Sequence, residues 1–476
     1  MNLPDVLKKK LERPVAILGA GASGNAVAEF LASQGVEYVI YDASGKNGAT
    51  PKFNAVAATE HELLVYSPGF SQDHEWLKTA RKSGLLCLAE IDFAAMFWQG
   101  SAVPLTSLAG ESEEDFLARA RARLALVAVT GTNGKTTLTE FLAFAHKRAG
   151  RNAAAVGNNG VPMSSVLPAN APSVSGLICE VSSFQAEDLH YFSPGSVLWT
   201  NFDEDHLERH GTMENYFRAK FRLIEMQQSL RLVLGDLPKQ DADTQRILAC
   251  RVCVVGESVA AAAKKYGFDL PPYAQVATRA EVANEIPAGS IFETFPQMEN
   301  YAIARRYWLA RGFPLKDLED AAAIFTAREH RLSKVTSVGE NPVVEFWNDS
   351  KGTNFGSVYA ALETFPDGKV FWIGGGRRKG GDVKNFVEKI SSRIKHAFLI
   401  GETAAELREY FSGTGVPAET FEQFGGAVAE AYKVAKQSPE KRAVILFSPG
   451  FASFDMFRSY ADRGSKFIKI VEELVG

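Results

Sequence analysis

The chain has 476 residues, enough for about three domains with several buried cores. Its 46% hydrophobic and 23% charged content is ordinary for a globular protein, and four cysteines are too few for a disulfide framework. A net charge of −4 gives no reason to expect nucleic acid or an anionic membrane as the main partner. No run is long and apolar enough for a signal peptide or a membrane span, so a cytoplasmic protein without membrane insertion is expected.

In chain order, Val15 to Leu18 reads as a short strand, followed by Gly19-Ala20-Gly21-Ala22-Ser23-Gly24 and a helical pattern through Val27 and Phe30. A second strand, Tyr38 to Tyr41, ends at Asp42. This β-α-β unit with G-x-G-x-x-G and an acidic residue reads on its own as a dinucleotide fingerprint, and an NAD-dependent oxidoreductase is one reading of it. Physically, the motif says that a diphosphate or similar anion can approach the backbone. Leu63 to Tyr66 is a third strand, and Ser67-Pro68-Gly69-Phe70 is the loop at its carboxyl end, where open α/β sheets bind ligands. A boundary is predicted between Trp98 and Arg123, where Ser-Gly-rich and then acidic residues lead into a basic amphipathic piece.

The apolar run Leu124 to Val129 then enters TGTNGKTT, residues 130–137, and a helical pattern covers Leu138 to His146. A strand, a glycine turn and a helix in that order hold a nucleoside triphosphate. Gly131, Thr132, Asn133 and Gly134 form the turn, Lys135 adds a point charge, and the hydroxyls of Thr136 and Thr137 follow. Val129 stands where the usual pattern has its first glycine. This loop predicts that the chain uses ATP or GTP. Further strands are expected at Gly176 to Cys179, Val197 to Thr200, Leu230 to Leu234 and Val252 to Val255, with a helix over Ala260 to Lys265. Cys250 and Cys253 have no further ligands nearby for zinc and read as buried or half-buried thiols. After His330-Arg331, strands at Val343 to Trp347, Val370 to Ile373, Ala397 to Ile400 and Ala443 to Phe447 alternate with helical stretches. That is a second doubly wound pattern.

Several groups could carry chemistry. Glu180 ends a strand in the segment that carries the phosphate loop, the usual place for a Mg²⁺ contact, though a surface Glu is the plainer reading. Residues 201–210, Asn-Phe-Asp-Glu-Asp-His-Leu-Glu-Arg-His, crowd four carboxylates and two imidazoles together, which suits either a cation or a solvated acidic loop. His206 reads equally as a metal ligand or a loop histidine. Residues 347–354 (WNDSKGTN), 374–381 (GGGRRKGG) and 448–453 (SPGFAS) are polar loops at strand ends. Each alone could be a turn, but three together suit a carboxylate or phosphate ligand.

Taken in order, GAGASG, SPGF, TGTNGKTT, GNNG at 157–160, EVSSFQ, the N-x-x-x-D-H run, Arg-Glu-His-Arg, NDSKGTN, GGGRRKGG and SPGFASFDMF resemble the Mur ligase family over nearly the whole chain. The resemblance implies an α/β protein of three domains. Residues 1–98 would be a Rossmann-like domain binding UDP rather than NAD, 99–328 a central P-loop ATPase-type parallel sheet, and 329–476 a Rossmann-like doubly wound glutamate-binding domain. It implies an ADP-forming amide ligase that adds D-glutamate to UDP-N-acetylmuramoyl-L-alanine, using ATP and two Mg²⁺ ions, as a monomer. A relative that adds L-glutamate or another amino acid is the near alternative, and the absent Asp-Asn-Pro-Arg motif argues against the diaminopimelate- and lysine-adding members.

Site roles follow from the same resemblance. Ala22, Ser23, Asp42, Gly69, Asn158 and Ser182 would hold the UDP substrate. Lys135 and Thr136 would face the ATP phosphates and Mg²⁺, with Asn300, Arg331, Asp349 and Lys351 also reaching ATP. Glu180 and His206 match Mg²⁺ ligands, and Lys220 matches a lysine that family members carbamylate, turning a cation into an anion that can help hold a second Mg²⁺. Without that match Lys220 is a helix-surface lysine. Thr353, Lys379, Ser453, Phe454 and Tyr460 fall where glutamate is held. The family's His-Asn-x-x-Asn is here Glu299-Asn300-Tyr301-Ala302-Ile303, so its second Asn is replaced by Ile303. Gly352 replaces a common Ala, and Tyr460 a Phe of some relatives.

Overall fold

A computed structural model describes residues 5–99, 107–167, 174–230, 241–365 and 370–476. Three sheets follow one another along the chain. The first contains β1 (Val15–Leu18), β2 (Tyr38–Tyr41), β3 (Leu63–Tyr66) and β4 (Leu86–Ala89) in the parallel order β2-β1-β3-β4. The second has β5 (Leu126–Thr130), β6 (Ala153–Gly157), β7 (Gly176–Glu180), β8 (Ser196–Trp199), β9 (Val252–Gly256) and β10 (Ala274–Ala277). Its order is β10-β9-β8-β5-β7-β6, again all parallel. The third has β11 (Ser333–Val338), β12 (Val343–Asn348), β13 (Val370–Gly375), β14 (Ile394–Ile400), β15 (Ala418–Phe421) and β16 (Arg442–Phe447). It runs β11-β12-β16-β13-β14-β15, and only the edge strand β11 is antiparallel to its neighbour.

The inner strands read as continuous apolar runs because both faces are covered. In the third sheet, Trp372, Leu399 and Leu446 pack with Phe386 and Leu407 on one face, while Phe371, Ile373, Phe398 and Phe447 pack with Val428 and Phe467 on the other. Each such fully buried side chain contributes about 1.5–3 kcal/mol of apolar burial. The predicted strands of the first and third sheets are all present. In the second sheet the strand expected at Leu230 to Leu234 falls, beyond Leu230, outside the described residues. The helix expected over Ala260 to Lys265 is Glu257–Tyr266, and all four cysteines are free, three of them buried and Cys250 half-buried.

The chain divides into two compact units. The first comprises Met1–Asn201, Phe217–Ile286 and Asn300–Ile324; the second comprises Phe202–Tyr216, Pro287–Glu299 and Phe325–Gly476. Inside the first unit, carboxylates tie the first sheet to the second. The Asp92 carboxylate accepts from the backbone N–H groups of His190, Tyr191 and Phe192 at 2.7, 3.0 and 2.7 Å, and Glu90 accepts from Ser164 N at 2.6 Å. Burial raises the pKa of both acids while these donors pull it down. No helix among the described residues is long and apolar enough to cross a membrane.

Candidate active site

The phosphate loop sits where β5 gives way to the helix Lys135–Arg148, at the carboxyl end of one of the two middle strands of its sheet. β5 lies between β7 and β8, and the chain winds away on either side of it, so the loop occupies a topological switch point. Gly131 has φ +147°, and a Cβ there would lie 1.9 Å from Thr200 Oγ1; only glycine can fill this position. The Lys135 ammonium donates to Gly131 O at 2.9 Å and Thr132 O at 2.7 Å. It is thereby folded over the turn at a helix N-terminus, where a phosphate would find N–H groups and a cation together. Thr132, Thr136 and Thr137 are buried in the same turn.

Residues just after β8 pin that turn. Thr132 N donates to Asn201 O at 3.0 Å, Asn133 N to Asn201 Oδ1 at 2.8 Å, and Thr200 Oγ1 to Asn133 O at 2.5 Å. The sequence carried no signal that Thr200 and Asn201 shape the phosphate loop. Asn300 is buried beside it, close enough that a Cβ on Gly134 would lie 2.5 Å from its Oδ1. Ile303 is buried on the same helix, Gln297–Ala310. Lys220 is not on the surface: it is 1% exposed, and its Nζ donates to Gly131 O at 2.8 Å and to Thr130 Oγ1 at 3.4 Å. The plain helix-surface reading of this lysine is therefore corrected by tertiary packing.

Glu180 ends β7, paired in register with Val129 of β5 and Gly157 of β6. Its Oε1 accepts from Asn158 Nδ2 at 2.9 Å, whereas its Oε2 is buried without a hydrogen-bond partner. An orphaned buried carboxylate oxygen is what a cation would satisfy. Glu180, on the strand beside the one that leads into the phosphate loop, thus fits a cation such as Mg²⁺. Among the described residues no three His, Cys, Asp or Glu side chains form a ready-made metal cluster.

A cavity in the same unit is lined by Ala22, Ser23, Pro68, Glu90, Asn158 and Gln185 among others, joining three of the residues expected to hold the UDP substrate. Gly69 lies in the loop after β3. Asp42 does not offer a free carboxylate: it accepts from Ala20 N at 2.9 Å and from Ser44 N and Oγ at 2.9 and 2.6 Å, which hold its pKa down to about 2. It shapes the glycine-rich turn. Ser182 caps the short helix Ser183–Ala186 in a reciprocal capping box with Gln185. Glu90 was not foreseen in this cavity, because its approach to Ser164 spans 74 positions.

In the second unit the three polar loops follow β12, β13 and β16, which are adjacent strands of one sheet. Lys379 Nζ donates to Thr353 Oγ1 at 3.3 Å, and both line a cavity with Glu204, Asp205, His206 and Asn354. Asn354 Nδ2 donates to Asp205 Oδ2 at 2.9 Å, so the acidic segment packs against these loops. His206 adopts φ +54°, with Nε2 3.5 Å from Asp205 Oδ2 and Nδ1 3.5 Å from Glu208 Oε1; it belongs to this unit, whereas Glu180 and Lys220 belong to the first. Lys351 Nζ lies 4.0 Å over the Tyr460 ring, a cation–π contact. Ser453 is buried and Phe454 is 65% exposed.

Asp349 is buried, accepts from Ser448 Oγ at 2.7 Å and Leu332 N at 3.2 Å, and burial pushes its pKa up to about 7 against the pull of Arg331 and Arg463. A raised carboxylate pKa means that the folded state keeps the proton. Stability from this group is full at pH values below the ordinary carboxylate range and is lost as pH rises towards 7. Asp349→Asn cannot ionise, so its melting temperature relative to the parent is expected to be higher at pH 8 than at pH 5. Between these two pH values the differential is at most about 3 kcal/mol. Thermal melts at the two pH values check this; an unchanged difference would contradict it.

With this geometry in view, the chain matches the Mur ligase middle domain over residues 129–268 and the glutamate ligase domain of Mur ligases over residues 330–451. It is 31% identical to a UDP-N-acetylmuramoylalanine–D-glutamate ligase of Bradyrhizobium diazoefficiens, covering 98% of this chain and 97% of that one. It is 28% identical to the ligase of the same name from Aquifex aeolicus, over 96% and 98%. Among solved structures, MurF of Acinetobacter baumannii shares the fold at TM-score 0.54 and 14% identity, covering 99% of this chain and 98% of that one. The UDP-N-acetylmuramate-alanine ligase of Thermotoga maritima does so at TM-score 0.51 and 18% identity, over 97% and 99%. With a P-loop, a carboxylate open to a cation and two matched domains in the expected order, the chain belongs to the Mur ligase family of ATP-dependent amide ligases.

Proposed function

We propose that this protein joins D-glutamate to UDP-N-acetylmuramoyl-L-alanine, forming ADP and phosphate. What supports the reading most is its end-to-end likeness to D-glutamate ligases, at 31% identity over 98% of the chain. In this reading residues 1–98 bind the uridine nucleotide, 99–328 bind ATP and 329–476 bind glutamate. It carries with it a cytoplasmic, monomeric enzyme of peptidoglycan precursor synthesis.

The alanyl carboxylate is a poor acyl donor, so one of its oxygens first takes the terminal phosphoryl group of ATP, giving an acyl phosphate and ADP. Lys135 and the helix N-terminus behind it meet the charge that spreads over the transferring oxygens. Thr136, Glu180, His206 and a carbamylated Lys220 are the groups that would hold two Mg²⁺ ions, whose positive charge would offset that of the triphosphate and the carboxylate. The amine of glutamate then attacks the acyl carbon. A C–N bond forms, the bond to phosphate breaks, and the amine proton is released. Lys379, Thr353 and Ser453 receive glutamate's carboxylates through charge-assisted hydrogen bonds. Water must be kept from the acyl phosphate while this happens.

Incubation with Mg-ATP, UDP-N-acetylmuramoyl-L-alanine and D-glutamate is expected to yield the amide together with equimolar ADP. Product with a different amino acid would move the glutamate assignment, and no product with any would overturn the reading.

A further inference from the structure

Arg463 is a buried charge that the reaction scheme does not use. It lies near the start of the last helix, Tyr460–Val475, and is 0% exposed. Burying a guanidinium is costly unless its donors are met. Here they are met by loop oxygens: Nε donates to Ser350 Oγ at 3.1 Å, Nη2 to Ser350 O at 2.9 Å and to Phe451 O at 3.2 Å, and Nη1 to Phe451 O at 3.2 Å. Ser350 Oγ in turn donates to Tyr460 O at 2.8 Å. Asp349 and Asp455 favour the charge, although burial still lowers the Arg463 pKa to about 10.

The third loop reaches the same group. Gly376 has φ +144°, and a Cβ on it would lie 3.3 Å from Arg463 Nη1 and 2.4 Å from Ala452 O. Arg377 N donates to Ala452 O at 2.9 Å. One guanidinium therefore hydrogen-bonds the loops after β12 and β16 and packs beside Gly376 of the loop after β13. These loops also carry Thr353, Lys379 and Ser453.

We infer that Arg463 is a positioning residue that sets the spacing of these three loops and so the affinity for the incoming amino acid. The inference rests on the glutamate-binding role proposed above for those loops. A planar fork spans the oxygens of Ser350 and Phe451, whereas an ammonium is a single point and cannot. Charge alone is therefore insufficient.

The test is steady-state kinetics of Arg463→Lys beside the parent, with each substrate varied in turn. The KM for D-glutamate is expected to rise at least about tenfold, while the KM for UDP-N-acetylmuramoyl-L-alanine, assigned to the first unit, changes less than about twofold. Added guanidinium ion is expected to lower the glutamate KM of Arg463→Ala saturably and to leave the parent unaffected. An unchanged glutamate KM in Arg463→Lys, or an equal rise for both substrates, would overturn the positioning role. A parent enzyme without D-glutamate-dependent turnover would instead sink the functional reading on which it rests.

Discussion

Lys135→Ala is expected to lower turnover by about 10²–10³-fold or more, with little change in folding stability. The size follows from what the ammonium meets. Phosphoryl transfer has little covalent chemistry for the protein to do, so catalysis is mostly positioning and charge stabilisation. Removing one preorganised donor from such a site costs about 3–4 kcal/mol. Folding should be spared because alanine is a strong helix former at the head of Lys135–Arg148. The two carbonyls that Lys135 now meets, Gly131 O and Thr132 O, belong to a turn that Asn201 and Thr200 also hold. Turnover at saturating substrate, measured with a thermal melt of the same sample, checks both parts. Near-normal turnover would remove the phosphate loop from the mechanism.

The second large effect is expected at Lys220. A lysine that is 1% exposed, with its Nζ 2.8 Å from the backbone of the phosphate loop, can act there as a cation or, after reaction of its neutral amine with carbon dioxide, as a carbamate anion. The two forms predict opposite outcomes. If the carbamate operates, Lys220→Arg keeps the positive charge yet loses about as much activity as Lys220→Ala, roughly 10²-fold or more. Removing dissolved carbon dioxide should then depress the parent, and bicarbonate should restore it. If Lys220→Arg retains parental turnover and carbon dioxide has no effect, the ammonium is the working form and Lys220 is no metal ligand.

What could be read from the sequence was mostly local. The phosphate loop was legible because strand, turn, Lys135 and helix fall within one short stretch, and the same holds for the β-α-β unit that opens the chain. The three loops of the third sheet were legible as polar interruptions after apolar runs. The strands that were not named, β4, β6, β10, β11 and β15, are all edge strands of their sheets. An inner strand is covered on both faces and flanks, whereas an edge strand such as β6, Ala-Ala-Ala-Val-Gly, needs neither β-branched residues nor strict alternation. The edge strand β2 was legible because Tyr-Val-Ile-Tyr has high strand propensity.

Within the site, the contacts that the sequence did not announce act across long stretches of chain. Asn201 holds the backbone of Asn133 from 68 positions away, and Arg463 holds Ser350 from 113. Neither sits in a spacing that announces its role. The resemblance to a family supplied Lys220, which composition and periodicity would leave on a helix surface, and the fold then buried it against the loop. Asp42 shows the converse. Its place in the fingerprint was legible, but not that its oxygens also accept from Ala20 and Ser44 and so close the glycine-rich turn.

The measurement that bears most directly on the account is ADP release from the purified protein with Mg-ATP and UDP-N-acetylmuramoyl-L-alanine. D-glutamate, L-glutamate and no amino acid are run side by side. Release is expected to depend on D-glutamate and to stay near background in the other two. Release that is independent of any amino acid, or no release at all, would contradict it.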